Sequence, residues 1–131
     1  MTEEEQQIAI AEACGWKDVK YTKHEEADIE NRSIIHWSGL TGIPPEFTHY
    51  KNRIRIPDYL NDLNAMHEAE KVLTDEQMLN YLDALLDVLG LNLDPGGWYM
   101  DIDSVWQMTH ATAAQRAEAF LRTIGKWEDS K

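Results

Sequence analysis

The chain has 131 residues, of which 12 are basic and 24 acidic, so its formal net charge is −12. An apolar fraction of 43% with five Trp excludes a disordered chain, and this length predicts one domain spanning residues 1–131. The single cysteine excludes an internal disulfide and a cysteine-based zinc site within one chain. The acidic start MTEEEQQ and the short apolar runs predict a soluble, cytoplasmic protein with no membrane partner.

The first predicted element is a helix over residues 2–14. Thr2 and Glu5 have the spacing of a capping box, and Gly15 follows as a helix terminator. Residues 17–32 are charged and weakly periodic, which indicates a loop or a short strand around 19–22.

Two strands are predicted next. SIIHW (33–37) is rich in β-branched and aromatic residues, whereas 38–46 contains two Gly and two Pro and is predicted to be a loop. FTHYKNRIRI (47–56) alternates apolar and basic residues, which predicts a strand with one basic face formed by Lys51, Arg53 and Arg55. These three cations form the one concentrated basic patch in the sequence.

Residues 57–90 have the strongest helical periodicity. A first helix is predicted from Pro57, and its apolar side consists of Leu60, Leu63, Met66, Ala69 and Leu73. A second helix begins with a capping box of Thr74 and Gln77 and ends at Gly90. Its predicted buried side consists of Met78, Tyr81, Leu82, Leu85, Leu86 and Leu89.

The C-terminal third is predicted to contain strands and a last helix. Residues 98–111 carry Trp, Tyr, Ile and Val and predict one or two strands. A capping box of Thr112 and Gln115 begins a helix that ends at Gly125. About four helices with a small, mostly antiparallel sheet predict an α+β fold.

Three segments resemble one protein family. They are IAEACGWK, PDYLNDLNAMHEAEKVL and HATAAQRAEAFLRTIGKWED, with Gly15-Trp16, the helix after Pro57 and the Ala111-Thr112-Ala113 start of the last helix. These segments resemble the phage ABA sandwich domain family over about half of the chain. The resemblance implies an α/β/α sandwich and a bacteriophage origin, and it implies no catalytic residues.

A small ligand pocket is the first functional hypothesis. Lys51, Arg53 and Arg55 can grip phosphate, Asn61 and Asn64 can contact a base or ribose, and Trp98, Trp106 and Tyr50 can stack on a base. This inventory predicts a phage protein that sequesters a small anionic ligand, such as a nucleotide immune signal of the host. The alternative is that the Arg residues pair with nearby acids and the Asn residues are solvated.

A protein interaction surface is the second hypothesis. Residues 72–115 contain seven acids and neither Lys nor Arg, so a duplex nucleic acid is excluded as a partner there. This acidic surface either solubilises the protein or docks on a basic host protein. We also expect a homo-oligomer.

The sequence contains no catalytic motif. Ser38 lacks the context of a nucleophile elbow, Cys14 has no partner residues around it, and no glycine-rich phosphate loop occurs. No pair of His residues has helical ligand spacing, and Asp101 with Asp103 is a weak candidate for a hard cation. We therefore predict a non-catalytic protein without a cofactor or a metal.

Overall fold

The computed structural model describes residues 1–45, 52–91 and 102–129. They form five helices and three strands in an α+β fold, which confirms the predicted class. In chain order these are α1 (Glu3–Ala13), β1 (Lys17–Asp28), β2 (Ser33–Ile43), β3 (Ile54–Arg55), α2 (Leu63–Glu70), α3 (Asp75–Val88), α4 (Ile102–Thr109) and α5 (Ala113–Thr123).

The sheet is antiparallel and has the strand order β1-β2-β3. β1 and β2 form a long hairpin that pairs from Lys17 opposite Ile43 to Asp28 opposite Ser33. Among the described residues, β3 pairs with Thr41 and Gly42 at the base of this hairpin. The hairpin is longer than predicted, because the loop expected at 38–46 continues β2 as far as Ile43.

The outer part of the hairpin, residues 23–34, is named here the hairpin arm. Every described side chain in the arm is exposed. A strand with one buried face has apolar and polar residues in alternation. The sequence of the arm has no such alternation. This explains why the sequence pattern indicated only a loop or a short strand.

Three capping boxes predicted from sequence are present. The hydroxyls of Thr2, Thr74 and Thr112 each accept a hydrogen bond from the backbone N–H three residues on. The side chain of that residue accepts in return from the N–H of the threonine, so two otherwise unpaired donors are satisfied at each start. Gly15, Gly90 and Gly125, which follow these helices, all have positive φ, as their predicted terminating role requires.

The start of α2 differs from the prediction. The helix begins at Leu63 rather than at Pro57, because the Asp62 carboxylate accepts from the N–H groups of Asn64 and Ala65 and makes Asp62 the cap. Leu63 is therefore the first helical residue, and its side chain is 39% exposed although it was predicted to be buried. Met66, one turn later, is fully buried.

Residues 102–109 form helix α4, so the prediction of strands over 98–111 is wrong for this part. Val105, Met108 and Thr109 lie on one side of α4 at helical spacing. β-propensity depends strongly on context and is a weak guide to the structure of such a segment, and no residue of α4 is buried. Residues 92–101 lie outside the described residues.

The core lies where α1, α2, α3 and α5 meet. The largest fully buried side chains include Phe120 and Leu121 of α5, Ile10 of α1, Met66 of α2 and Leu85 of α3. Trp16, Val19 and Ile56 pack against this core from the base of the sheet. Gly42 permits that contact, since an added Cβ would lie 3.1 Å from Val19 Cγ2 and 3.2 Å from the carbonyl oxygen of Lys17. In the described part of the chain, no helix has the length and apolar character needed to cross a membrane.

The core position of α2 can be tested with two substitutions one turn apart. Met66→Ala should lower the free energy of unfolding by about 2–5 kcal/mol, because it removes a fully buried side chain. Leu63→Ala should cost less than about 1 kcal/mol, because Leu63 is partly solvated already. Urea denaturation monitored by circular dichroism measures both, and similar losses in the two variants would contradict this assignment of the core face.

Candidate functional site

A cleft of about 430 Å³ opens between α3, α4, α5 and the end of α2, and it is named here the helical cleft. Its volume falls in the range of ordinary ligand sites. Its wall is mainly apolar, with a few polar groups on one side. The lining residues are Glu70, Leu73, Met78, Tyr81, Leu82, Leu85, Met108, Thr109 and Arg116.

The polar side of the helical cleft is a connected network centred on Arg116. Its guanidinium donates to the Glu70 carboxylate (Nη1 to Oε1, 3.3 Å) and to the Met108 carbonyl (Nη2 to O, 3.0 Å). Its Nε donates to the Ala111 carbonyl at 3.4 Å. Arg116 therefore binds carbonyls at the C-terminal end of α4, where a cation is favoured, and joins them to α2.

Tyr81 completes the network from α3. Its hydroxyl donates to Glu70 Oε1 at 2.9 Å. Burial raises the pKa of Tyr81, and the neighbouring Glu70 carboxylate raises it further. The phenol therefore stays protonated at neutral pH. It serves as a hydrogen-bond donor and is unsuited to act as a base.

The lip of the helical cleft is apolar and reaches solvent. Met78 and Leu82 line it and are 45% and 46% exposed, although both were predicted to be buried. Leu79 on α3 and Val105 on α4 lie next to this lip at helical spacing, and both are exposed. A contiguous exposed apolar surface on a protein marks an interaction site more often than a scatter of single residues does.

Acidic side chains flank the apolar lip on α3. Asp75 and Asp83 lie four residues before and after the exposed Leu79, so the three form one row on the helix surface. Asp87 continues this row, and Asp103 is exposed on α4. Asp75 and Asp83 are thus adjacent to the exposed apolar residues of α3, whereas Asp87 lies further around the helix, away from the cleft. Asp94 and Asp101, which the prediction included, lie outside the described residues.

The two arginines of the predicted ligand pocket have different partners. Arg53 lies just before β3, and its guanidinium donates to the carboxylate and the backbone carbonyl of Asp18 and to the carbonyl of Thr41. Arg53 therefore has an acidic partner, as the alternative interpretation expected. The Arg55 guanidinium lies 3.8 Å from the centre of the Trp37 ring. Trp37 and Thr41 share a face of β2, so both guanidinium groups lie on that face.

A second cavity, of about 270 Å³, contains Arg55 and is named here the Arg55 cavity. Gln7, Ser38 and Asp58 supply its other polar side chains. The Asp58 carboxylate accepts from the Gln7 amide at 2.7 Å and from the Asn61 amide at 3.1 Å. An anion entering this cavity would therefore meet one guanidinium and one carboxylate.

The other described residues of the predicted pocket do not converge on Arg55. The Asn61 side chain donates a hydrogen bond to Asp58, which lines the Arg55 cavity. Asn64 is exposed at the start of α2 and does not line this cavity. Trp106 lies on α4, where its ring stacks on His110 at 4.1 Å. The N-terminal end of α2 cannot assist Arg55 as expected, because the Asp62 carboxylate already accepts from its free N–H groups. Lys51, Trp98 and Tyr50 lie outside the described residues.

The thiol of Cys14 lines a third cavity, of about 230 Å³, beside Tyr59 and Trp16. Burial raises the pKa of Cys14, although a hydrogen bond with Tyr59 opposes this. A thiol whose pKa is raised carries little thiolate, so Cys14 is a poor nucleophile. Within the described ranges, no group of three or more acidic, His or Cys side chains could hold a metal ion.

Sequence reasoning missed the helical cleft for two reasons. Met78 and Leu82 have the helical spacing of core residues, and spacing alone does not distinguish a core from an open cleft. Arg116 was not singled out, yet its helical spacing to Ala113 and Phe120, which belong to the predicted buried face of α5, was a usable signal. A charge at such a position needs a buried partner, and Glu70 on the apolar side of α2 was the matching candidate.

The Arg116 network can be tested against an exposed arginine on the same helix. Arg116→Met should lower the free energy of unfolding by about 3–5 kcal/mol, because it leaves Glu70 and the α4 carbonyls without their donor. Arg122→Met is the control, since Arg122 is exposed and its ion pair with Glu118 contributes at most about 1 kcal/mol. Equal losses in urea denaturation would show that Arg116 does not organise the helices.

No family model, no curated protein and no solved structure matches the chain significantly. The functional inference therefore depends on the geometry of the cleft and the cavities. The resemblance to phage proteins stays an expectation from sequence.

Proposed function

We propose that this protein is a non-catalytic binding module whose helical cleft receives a basic amphipathic helix of a partner protein. The observation that carries the proposal is the half-exposed pair Met78 and Leu82 at the lip of an apolar cleft. Grooves of this kind receive the apolar face of a helix, and methionine adapts its shape to different side chains.

The negative charge beside the cleft favours a partner of positive charge. Asp75 and Asp83 lie beside the exposed Leu79 on α3, and residues 72–115 contain neither Lys nor Arg. A basic partner is attracted by this field and an acidic one is repelled. If the phage resemblance holds, the partner is a host protein, and binding would inhibit it by occupying a basic surface.

The role proposed for the helical cleft is binding without catalysis. The polar groups there are a guanidinium, a carboxylate and a phenol that bond to one another and to backbone carbonyls. Their hydrogen bonds join four helices, which suits a rigid receptor. A receptor whose wall is already formed loses little conformational entropy on binding.

A designed helical peptide of Leu and Lys, with Leu on one face, tests the cleft by fluorescence anisotropy. The wild-type protein should bind it, and Met78→Gln/Leu82→Gln should weaken binding about tenfold or more, since both side chains contact the apolar face. Val72→Gln is the matched control: Val72 is 45% exposed on the other side of α2 and does not line the cleft.

Two further peptides separate this contact from simple charge attraction. A peptide of the same composition in scrambled order should bind weakly, and a Leu–Glu peptide should not bind. Equal binding of the ordered and scrambled peptides, or an undiminished affinity in the double variant, would contradict the proposal.

A small anionic ligand in the Arg55 cavity is the second candidate. The observation that favours it is the Arg55 guanidinium, which is exposed, lies over the Trp37 ring and lines a cavity. A nucleotide would place its phosphate on Arg55 and its base near Trp37. Because Arg53 is paired with Asp18, Arg55 is the described arginine on which this site depends.

Calorimetry with cyclic and linear nucleotides tests this second candidate. Arg55→Ala should weaken binding by about 1.5–3 kcal/mol, the range for a charged hydrogen bond. Lys71→Ala is the control, because Lys71 is an exposed cation on α2 that pairs with Glu68. If the wild-type protein binds none of the nucleotides, or if Arg55→Ala binds as well as the wild type, nucleotide sequestration at this cavity is excluded.

A further inference from the structure

The outer edge of β1 is open in the described part of the chain. β1 is the first strand of the order β1-β2-β3 and is 12 residues long, and no described strand pairs with its second edge. Lys20, Tyr21 and Lys23 are exposed, so no described element covers the strand there. An edge of this length can pair with a strand of another molecule.

The charges of β1 are divided between its two halves. The first half, KDVKYTK, contains three lysines and one aspartate, and the second half, HEEAD, contains three acids and no lysine. An antiparallel partner strand runs in the opposite direction, so a second copy of β1 would place its acidic half beside the basic half. The strand is therefore complementary in charge to itself, although the whole chain carries −12.

Symmetry restricts how two such strands can align. Two antiparallel edges of identical copies are related by a two-fold axis perpendicular to the sheet, and paired residues must lie on the same face. One of these alignments has residue 24 opposite itself, and it places Lys23 opposite Glu25 of the second copy, twice by symmetry. Alignments centred on residue 23 or 25 would instead place Lys23 opposite Lys23, or Glu25 opposite Glu25, which is unfavourable.

The same alignment groups exposed apolar residues. Tyr21 is 53% exposed and would lie opposite Ala27 of the second copy. Ala27 pairs within its own hairpin with Ile34, which is 61% exposed. The three residues would form one row on one face of the joined sheet, and the small Ala27 leaves room for its neighbours.

We propose that two copies of this chain pair through their β1 edges, with residue 24 at the two-fold axis, to form one continuous antiparallel sheet. This interface is separate from the helical cleft, so it does not depend on the function proposed for that cleft. The β1 edge would then be the surface that joins the subunits of the expected homo-oligomer. The partner is a second copy of this chain because β1 matches its own charges in the reversed direction.

Charge exchange at residues 23 and 25 tests the interface by sedimentation velocity. The wild type should sediment as a concentration-dependent dimer. Lys23→Glu alone and Glu25→Lys alone should each weaken association about tenfold or more, because each places like charges opposite one another twice. An equimolar mixture of the two variants should recover the dimer, since every 23–25 pair across the interface is then of opposite charge.

The double variant Lys23→Glu/Glu25→Lys should also recover the dimer. Lys71→Glu is the control for net charge, because it makes the same charge change on exposed α2 and should leave association unchanged. Circular dichroism of each variant identifies any loss of fold, and recovery in the mixture cannot come from misfolded chains. A monomeric wild type, or dimerisation that neither single variant weakens, would overturn the proposal.

Discussion

The helical part of this protein depends on one buried cation. Arg116 is on α5, and its guanidinium bonds to carbonyls at the end of α4 and to Glu70 at the end of α2, while Tyr81 of α3 donates to the same carboxylate. A buried guanidinium without partners would cost several kcal/mol, so the four helices must meet where its hydrogen bonds can be satisfied. The helical cleft exists beside this network because the network fixes the separation of α3 and α4 on one side.

The helices that begin with capping boxes could be predicted from sequence because their signals are local. Thr2, Thr74 and Thr112 each carry their partner three residues away, and a glycine with positive φ ends each helix. The start of α2 and the identity of α4 could not be predicted in the same way. Asp62 and Pro57 were both possible helix starts, and the aromatic and β-branched residues around 102–109 favoured a strand although this segment is a helix without buried residues.

The candidate sites were harder to predict because their contacts join distant parts of the chain. Arg53 is paired with Asp18, which lies 35 positions earlier, and Arg116 with Glu70, which lies 46 positions earlier. Closeness in sequence suggested that Arg53, Arg55, Asn61 and Asn64 shared a pocket, whereas the turn after Pro57 directs Asn61 to Asp58. The acidic character of residues 72–115 could be predicted, since charge counts need no structure. Predicting the apolar lip, in contrast, requires knowing which residues of α3 are left exposed by the other helices.

The exposed hairpin arm has a consequence for how this protein can change over time. Its described side chains contribute little to the core, so in a single copy its strands can open locally at a lower free energy than the helices, and the amides there should exchange with solvent early. For the same reason substitutions in the arm cost the helical core little. Outside the β1 positions that are proposed to pair between two copies, the arm can therefore accumulate new charges and new apolar residues while the helical cleft is conserved. Two surfaces of one small domain are in this way free to diverge at different rates.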